Sequence, residues 1–194
     1  MNGDILIIER PDYISFEQIT ELLHNSFAYW LKKGVSFIAA NQTVDTTKQR
    51  IGNGKCFVCL VNNSLVGTVT ISENSRGIKF EQLAVSPEYQ NKGIATKLIN
   101  YIENYAYSKN KKYIQGDTRL NAKWLVDWYL NKLEYRKYLI IYNRNQKCYS
   151  VFFRKYLNRN FFTDTYCLIH YIISPVICTI RIFKRVIRKI RKLL

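Results

Sequence analysis

Acidic residues are scarce in this chain: 14 Asp and Glu stand against 30 Lys and Arg, for a formal net charge of +16. That balance excludes an acidic, solvating polypeptide and favours anionic partners. Histidine is nearly missing. His24 and His170 are isolated in sequence, and His24 sits beside Leu22, Leu23 and Phe27 on a helical pattern, where a packed or solvated ring is the better reading than a catalytic one. The five cysteines are odd in number and follow no regular framework, which argues against a disulfide scaffold. Cys56 and Cys59 do form a C-x-x-C, but in an apolar strand pattern, where positions three apart point to opposite faces. No metal site is expected. Long apolar runs are also lacking. Thr165–Ile180 is free of formal charge for sixteen residues but contains Pro175, and a bilayer span needs about 20. The first residues carry acids and too short an apolar run for a secretion signal. A reducing cytoplasm is the expected compartment.

What is present suits a folded body with an appendage. The chain has 194 residues, 47% of them hydrophobic and 14% aromatic, enough to fill a core. Asp4–Glu9 reads as a strand. Ser15 with Gln18 forms a capping-box pattern ahead of a helical stripe of Ile19, Leu22, Leu23, Phe27 and Trp30 that stops near Gly34. A short helix is predicted at 45–51, then strands at 55–61, 64–73 and 77–86. Asn62-Asn63 is the expected hairpin turn, with a second turn near 74–77. A helix follows from Ile94, then a strand at 112–117, a helix at about 121–132, and strands near 135–142 and 146–154. A mixed, mostly antiparallel α/β sheet flanked by helices is the predicted fold class. It occupies residues 1–157, and a helical tail occupies 158–194.

The most informative stretch is Gln90-Asn91-Lys92-Gly93-Ile94-Ala95, between the apolar strand Lys79–Val85 and a helix whose apolar positions are Ile94, Leu98, Ile99, Ile102 and Tyr105. The first amides of a helix lack internal partners and sit at its positive end, so they form an anion site. Glycine allows a ligand to come close to the backbone. Taken alone the string also fits an ordinary strand-to-helix turn. With its flanks it resembles motif A, [R/Q]-x-x-G-x-[G/A], of the GNAT-type N-acyltransferases. A second landmark, Trp128-Tyr129-Leu130-Asn131-Lys132-Leu133-Glu134-Tyr135, is similar to that family's late Y-x-x-K-L-G-[F/Y] segment, and the order of elements agrees over roughly 4–157.

The resemblance implies acetyl-CoA as acyl donor, with its diphosphate on the amides of Gln90, Asn91, Lys92, Gly93, Ile94, Ala95 and Thr96. It implies that the strand residues Leu83, Ala84 and Val85 bind the pantetheine arm through their backbone at a bulge, and that Asn121 contacts the same arm. The spacing from Asn121 to Tyr129 is about one residue longer than usual. Acyl transfer to an amine needs a neutral nucleophile, a stabilised oxyanion and a proton for the thiolate. Glu81, a charge inside an apolar strand, is the candidate base; it also fits a strand residue facing solvent. Tyr129 matches the tyrosine that protonates the thiolate, and fits equally a core aromatic among Trp124, Leu125 and Trp128. Glu134 stands where glycine is usual. Asp117 and Arg119 are read as solvated loop charges that could line an acceptor pocket.

Of the 30 Lys and Arg, 10 fall in residues 151–194, where Asp164 is the single acid. Ser174-Pro175 reads as a helix start. From there Val176, Ile180, Phe183, Ile187, Ile190 and Leu194 alternate with Arg181, Lys184, Arg185, Arg188, Lys189, Arg191 and Lys192. That is a basic amphipathic helix, suited to an anionic membrane surface; pairing into a homodimer, packing on a partner and binding RNA are the competing readings. The expected activity is acetyl transfer to a primary amine acceptor, such as an amino-sugar or envelope precursor, by an enzyme peripheral to the inner membrane surface. The alternatives are acetylation of aminoacyl-tRNA or protein, and a non-catalytic binding module.

Overall fold

The computed structural model describes residues 4–52, 54–144, 147–158, 165 and 167–173. Residues 174–194, which carry the amphipathic pattern, lie outside the described residues. The chain falls into two compact units, residues 1–116 and 117–194, divided within a strand.

In the first unit, β1 (Ile5–Glu9), β2 (Lys55–Val61), β3 (Ser64–Glu73) and β4 (Gly77–Val85) form an antiparallel array in sequence order. β5 (Tyr113–Arg119), which begins in this unit, pairs in parallel with β4. The turns follow local chemistry. Asn62 and Asn63 hold φ of 49° and 63°, the left-handed pair that lets a two-residue hairpin match strand twist. At the next turn the amides of Arg76 and Gly77 both donate to Asn74 Oδ1, at 2.8 and 2.9 Å.

Helix α1 (Phe16–Lys32) starts on the capping box, with the Gln18 amide on Ser15 Oγ and the Ser15 amide on Gln18 Oε1. It ends before Gly34, whose φ is 77°. Its stripe, with α2 (Val44–Gly52), closes a core of Ile14, Ile19, Leu23, Ile51, Cys56, Val58, Leu60 and Ala84. Cys56 and Cys59 are both buried free thiols on β2, and burial pushes Cys59 up to about 11. Helix α3 (Ile94–Ser108) buries Ile94, Leu98, Ile99 and Ile102. It comes close to β3 because Gly67 has no side chain: a Cβ there would lie 3.1 Å from Leu98 and 3.2 Å from Ile94.

The second unit begins in the last residues of β5 and continues with α4 (Lys123–Asp127), a π-helical turn (Trp128–Lys132) and the antiparallel hairpin β6 (Arg136–Asn143) and β7 (Cys148–Tyr156). The strand order here is β5-β7-β6. The single helix predicted at 121–132 is therefore two pieces. A π turn accommodates one additional residue in a helix, here closed by the Leu133 amide on the Trp128 carbonyl at 3.3 Å. Asp117 and Arg119, read from sequence as loop charges, are instead on β5, and Arg119 is only 7% exposed, its guanidinium donating to Cys148 Sγ.

Two glycines set the contact between β4 and β5. The Tyr113 ring covers Gly77 and the Phe80 ring covers Gly116, each so closely that a Cβ on the glycine would fall 2.3 Å from the ring. Aromatic–glycine cross-strand pairs of this kind fill the space a strand glycine leaves. Gly116→Val should therefore destabilise the fold by about 1–3 kcal/mol through overpacking; a urea midpoint equal to wild type, with the same m value, would refute it.

Candidate active site

β4 carries the candidate base Glu81 and the strand candidates Leu83, Ala84 and Val85. Thr68 of β3 pairs with Ala84 and Thr70 with Glu81, so Val69 faces two residues, Gln82 and Leu83. This is a β-bulge, and Gln82 takes a φ of 53°, an uncommon value for a side chain with a Cβ. The register of β4 with β5 covers only Gly77, Ile78 and Lys79. The bulge expected from the resemblance is thus present, and Leu83 is half-buried just past it while Ala84 and Val85 are buried.

Gln82 was not singled out by sequence reasoning. Its Oε1 accepts from Thr70 Oγ1 at 2.9 Å, and its buried Nε2 has no partner among the described residues. The signal available was a second polar residue inside the apolar strand, next to Glu81.

From Val85 the chain passes one 3-10 turn (Pro87–Tyr89) into the loop. The Gln90 side-chain amide donates back to the Val85 carbonyl at 3.0 Å, and Ser26 Oγ on α1 donates to the same oxygen at 2.9 Å. Gln90 thereby ties the loop to the end of β4. Asn91 and Gly93 are left-handed, with φ of 59° and 81°. Gly93 is the N-cap of α3, with no side-chain cap bond and no acid in the first turn. Asn91, Lys92 and Gly93 are exposed, Ala95 and Thr96 half-buried, and Ile94 packs inward. The space a Cβ on Gly93 would enter is open to 4 Å, and the Lys92 ammonium lies 5.0 Å from the Tyr89 ring centroid. These features fit a diphosphate: helix amides with no side-chain cap, a positive dipole end, no acid in the first turn and room at the glycine.

Glu81 stands in an ion-pair cluster. Arg50 of α2 donates to Oε2 at 2.8 Å and Lys79 donates to Oε1. Burial pushes the Glu81 carboxyl up, but the hydrogen bonds and charges of Lys79 and Arg50 outweigh it and hold the group below the usual carboxylate range. The cluster extends inward: Arg50 donates to Gln42 Oε1 at 3.2 Å, Gln42 Nε2 to Thr47 Oγ1 at 2.6 Å, and Thr20 Oγ1 to Thr47 Oγ1 at 2.7 Å. His24 shares a 2.8 Å hydrogen bond with the Gln42 carbonyl, so its ring serves the packing of α1 against the following loop.

In the second unit Asn121 is exposed in the turn between β5 and α4. Tyr129 is 3% exposed on the π turn, stacked on Phe153 at 5.1 Å and edge-on to Tyr135 at 5.9 Å. Burial, with Asp117 adding to it, pushes its phenol well above the ordinary tyrosine value. The helix closes through the Tyr135 amide on the Tyr129 carbonyl at 3.0 Å, and Glu134 between them holds φ at 60°. That left-handed residue explains why glycine is the usual choice at this position. Among the described residues no group of three or more His, Cys, Asp or Glu could hold a metal ion.

The sequence profile of the acetyltransferase (GNAT) family matches residues 16–135. The chain belongs to the GNAT acetyltransferase family. It is accordingly an acetyl-CoA-dependent N-acetyltransferase. A curated relative, the S-(2-succino)cysteine N-acetyltransferase of Bacillus subtilis (strain 168), is 26% identical over 125 residues, 60% of this chain and 76% of the relative. Among solved structures, an N-acetyltransferase from Staphylococcus aureus Mu50 superposes with a TM-score of 0.65 at 17% identity, over 81% of this chain and 100% of that one. A GNAT acetyltransferase from Elizabethkingia anophelis with acetyl-CoA bound has a TM-score of 0.64 at 15% identity, over 78% and 97%. These likenesses support the fold.

Two outcomes are expected. Glu134→Gly should raise stability by about 0.5–1 kcal/mol, because relief of a left-handed residue exceeds the added chain entropy of glycine; a lower thermal midpoint would contradict this. The depressed Glu81 carboxyl contributes stability above the ordinary carboxylate range, and that contribution is lost as pH falls through its lowered value. Arg50→Gln should therefore move the Glu81 titration to higher pH, read from its carboxyl-carbon NMR shift, and an unmoved curve would rule out the ion pair as the cause.

Proposed function

We propose that this N-acetyltransferase acetylates a primary amine on an amino-sugar or lipid-linked envelope precursor, working in the cytoplasm at the inner membrane surface. The observation that carries the cofactor part is the uncapped, glycine-led start of α3 at the end of a bulged strand. The membrane address is supported by the basic excess of the last residues, 10 Lys and Arg against one acid in 151–194.

In this reading the amides of Gly93, Ile94, Ala95 and Thr96 hold the diphosphate, with Gln90, Asn91 and Lys92 shaping the loop. The backbone of Leu83, Ala84 and Val85 and the Asn121 side chain take the pantetheine arm. When bound, acetyl-CoA supplies the activated acetyl group and a thiolate leaving group. Glu81 is ionised at neutral pH, held so by the two cations that face it, and in this reading it passes the acceptor's proton through water to solvent. Its low basicity makes that relay the better route than keeping the proton. Tyr129 Oη stays protonated throughout the neutral range, since burial raises its pKa, and so holds a proton for the departing sulfur.

A second reading has one specific observation behind it. The Bacillus subtilis relative is named for a cysteine derivative bearing a succinyl group, and Arg50 and Lys79 beside Glu81 would suit an amino acid that carries carboxylates.

Isothermal titration with acetyl-CoA should give micromolar binding to the wild type and none to Gly93→Asp, which places bulk and negative charge at the diphosphate position. Equal affinities would sink the loop assignment. With an amine acceptor, Glu81→Gln and Tyr129→Phe should each lower kcat by about 10–100-fold; a loss confined to KM would remove their proposed proton roles. If soluble amino acids are acetylated far faster than vesicle-borne amino-sugars, the second reading replaces the first.

A further inference from the structure

The helix at 165 and 167–173 in the second unit turns its polar and aromatic side inward and its aliphatic side out. Cys167 is 1% exposed, His170 stacks on Tyr138 of β6 at 4.9 Å, and the Lys137 ammonium of β6 lies 5.5 Å from the Tyr171 ring centroid. On the other side Leu168, Ile169, Ile172 and Ile173 are 58%, 49%, 63% and 42% exposed. Their spacing of one and four places them on one face. A soluble surface rarely groups four aliphatic side chains in this way without covering them.

The surrounding charge says what covers them. No Asp or Glu occurs from residue 165 to the end of the chain, while seven Lys and Arg follow residue 173. A protein partner would have to offer an apolar groove rimmed by acids. A bilayer containing anionic lipid offers both requirements in one place: hydrocarbon just beneath the headgroups for the Leu and Ile, and negative charge for the basic residues that follow. Among the described residues no helix is long and apolar enough to cross a membrane, so the face would lie in the plane of the interface.

We propose that the helix at 165 and 167–173 is interfacial and inserts Leu168, Ile169, Ile172 and Ile173 into the headgroup–acyl boundary of an anionic membrane. This rests on the membrane-surface reading above and assigns the apolar part of the contact to a segment ahead of the basic residues.

The test is co-sedimentation of the full chain with phosphatidylcholine vesicles, with and without phosphatidylglycerol. Three proteins are compared: wild type, Leu168→Ser/Ile172→Ser, and Arg185→Gln/Arg188→Gln/Lys189→Gln. The serine positions are exposed and are none of the residues assigned to acetyl-CoA, so acetyl-CoA affinity should not change and reports an intact fold. Expected are wild-type binding to phosphatidylglycerol vesicles and at least about tenfold weaker partitioning of the serine variant. Binding that only the glutamine variant loses would overturn the insertion and leave the membrane address standing. No wild-type binding would overturn both. A lipid-independent dimer that the serine variant breaks, seen by sedimentation velocity, would assign the face to a second copy instead.

Discussion

The proposed cofactor site depends on a helix start that the chain leaves without a side-chain cap. Most helices satisfy their first amides with a serine, threonine or aspartate side chain; α3 begins at Gly93 with none, and with no acid in its first turn. Leaving those amides open costs stability, and the neighbourhood offsets it. Ile94 and Leu98 are held against β3 at the close distance Gly67 permits, and Gln90 fastens the loop to the Val85 carbonyl. The glutamine of the motif is therefore a fastener as well as a ligand candidate. It keeps the amide array aimed from one fixed point, the end of β4.

The same strand carries the candidate base. The bulge at Gln82 brings two consecutive polar side chains, Glu81 and Gln82, into a strand whose other inward positions are apolar. A lone carboxylate in that setting would be driven toward its neutral form by burial. Arg50 and Lys79 reverse this and keep Glu81 charged. Holding Arg50 in turn requires Gln42 and Thr47, so the state of one catalytic candidate is linked by hydrogen bonds to the packing of α1 and α2. Basicity is traded for a carboxylate that stays ionised and paired to two cations.

Much of the fold was legible because its signals are local. Ser15 and Gln18, Asn62-Asn63, Asn74 and Gly34 each act within a few residues, and each takes the conformation its chemistry dictates. The glycine loop before α3 was readable for the same reason: strand, glycine and helix are contiguous. The ion pair of Glu81 with Arg50 was not readable, since 31 residues separate them and nothing in a basic sequence marks which arginine will be the partner. Nor was the left-handed Gln82, because glutamine carries no signal for positive φ. Arg119 was misread since a buried arginine on a strand looks, in sequence, like any loop charge.

Glu134 shows how such departures propagate. A glycine there would let the helix end at no strain; glutamate takes the same φ at a cost. The turn before it has already widened to the π form, and the closing bond from Tyr135 reaches back to Tyr129 itself. Tyr129 is therefore set by the helix ending as much as by its stack on Phe153. Its backbone is held by the Tyr135 amide and its ring is stacked on Phe153. In the proposed role of proton donor, Tyr129 benefits from that rigidity more than from exposure, because a fixed, desolvated hydroxyl needs little reorganisation when charge develops near it.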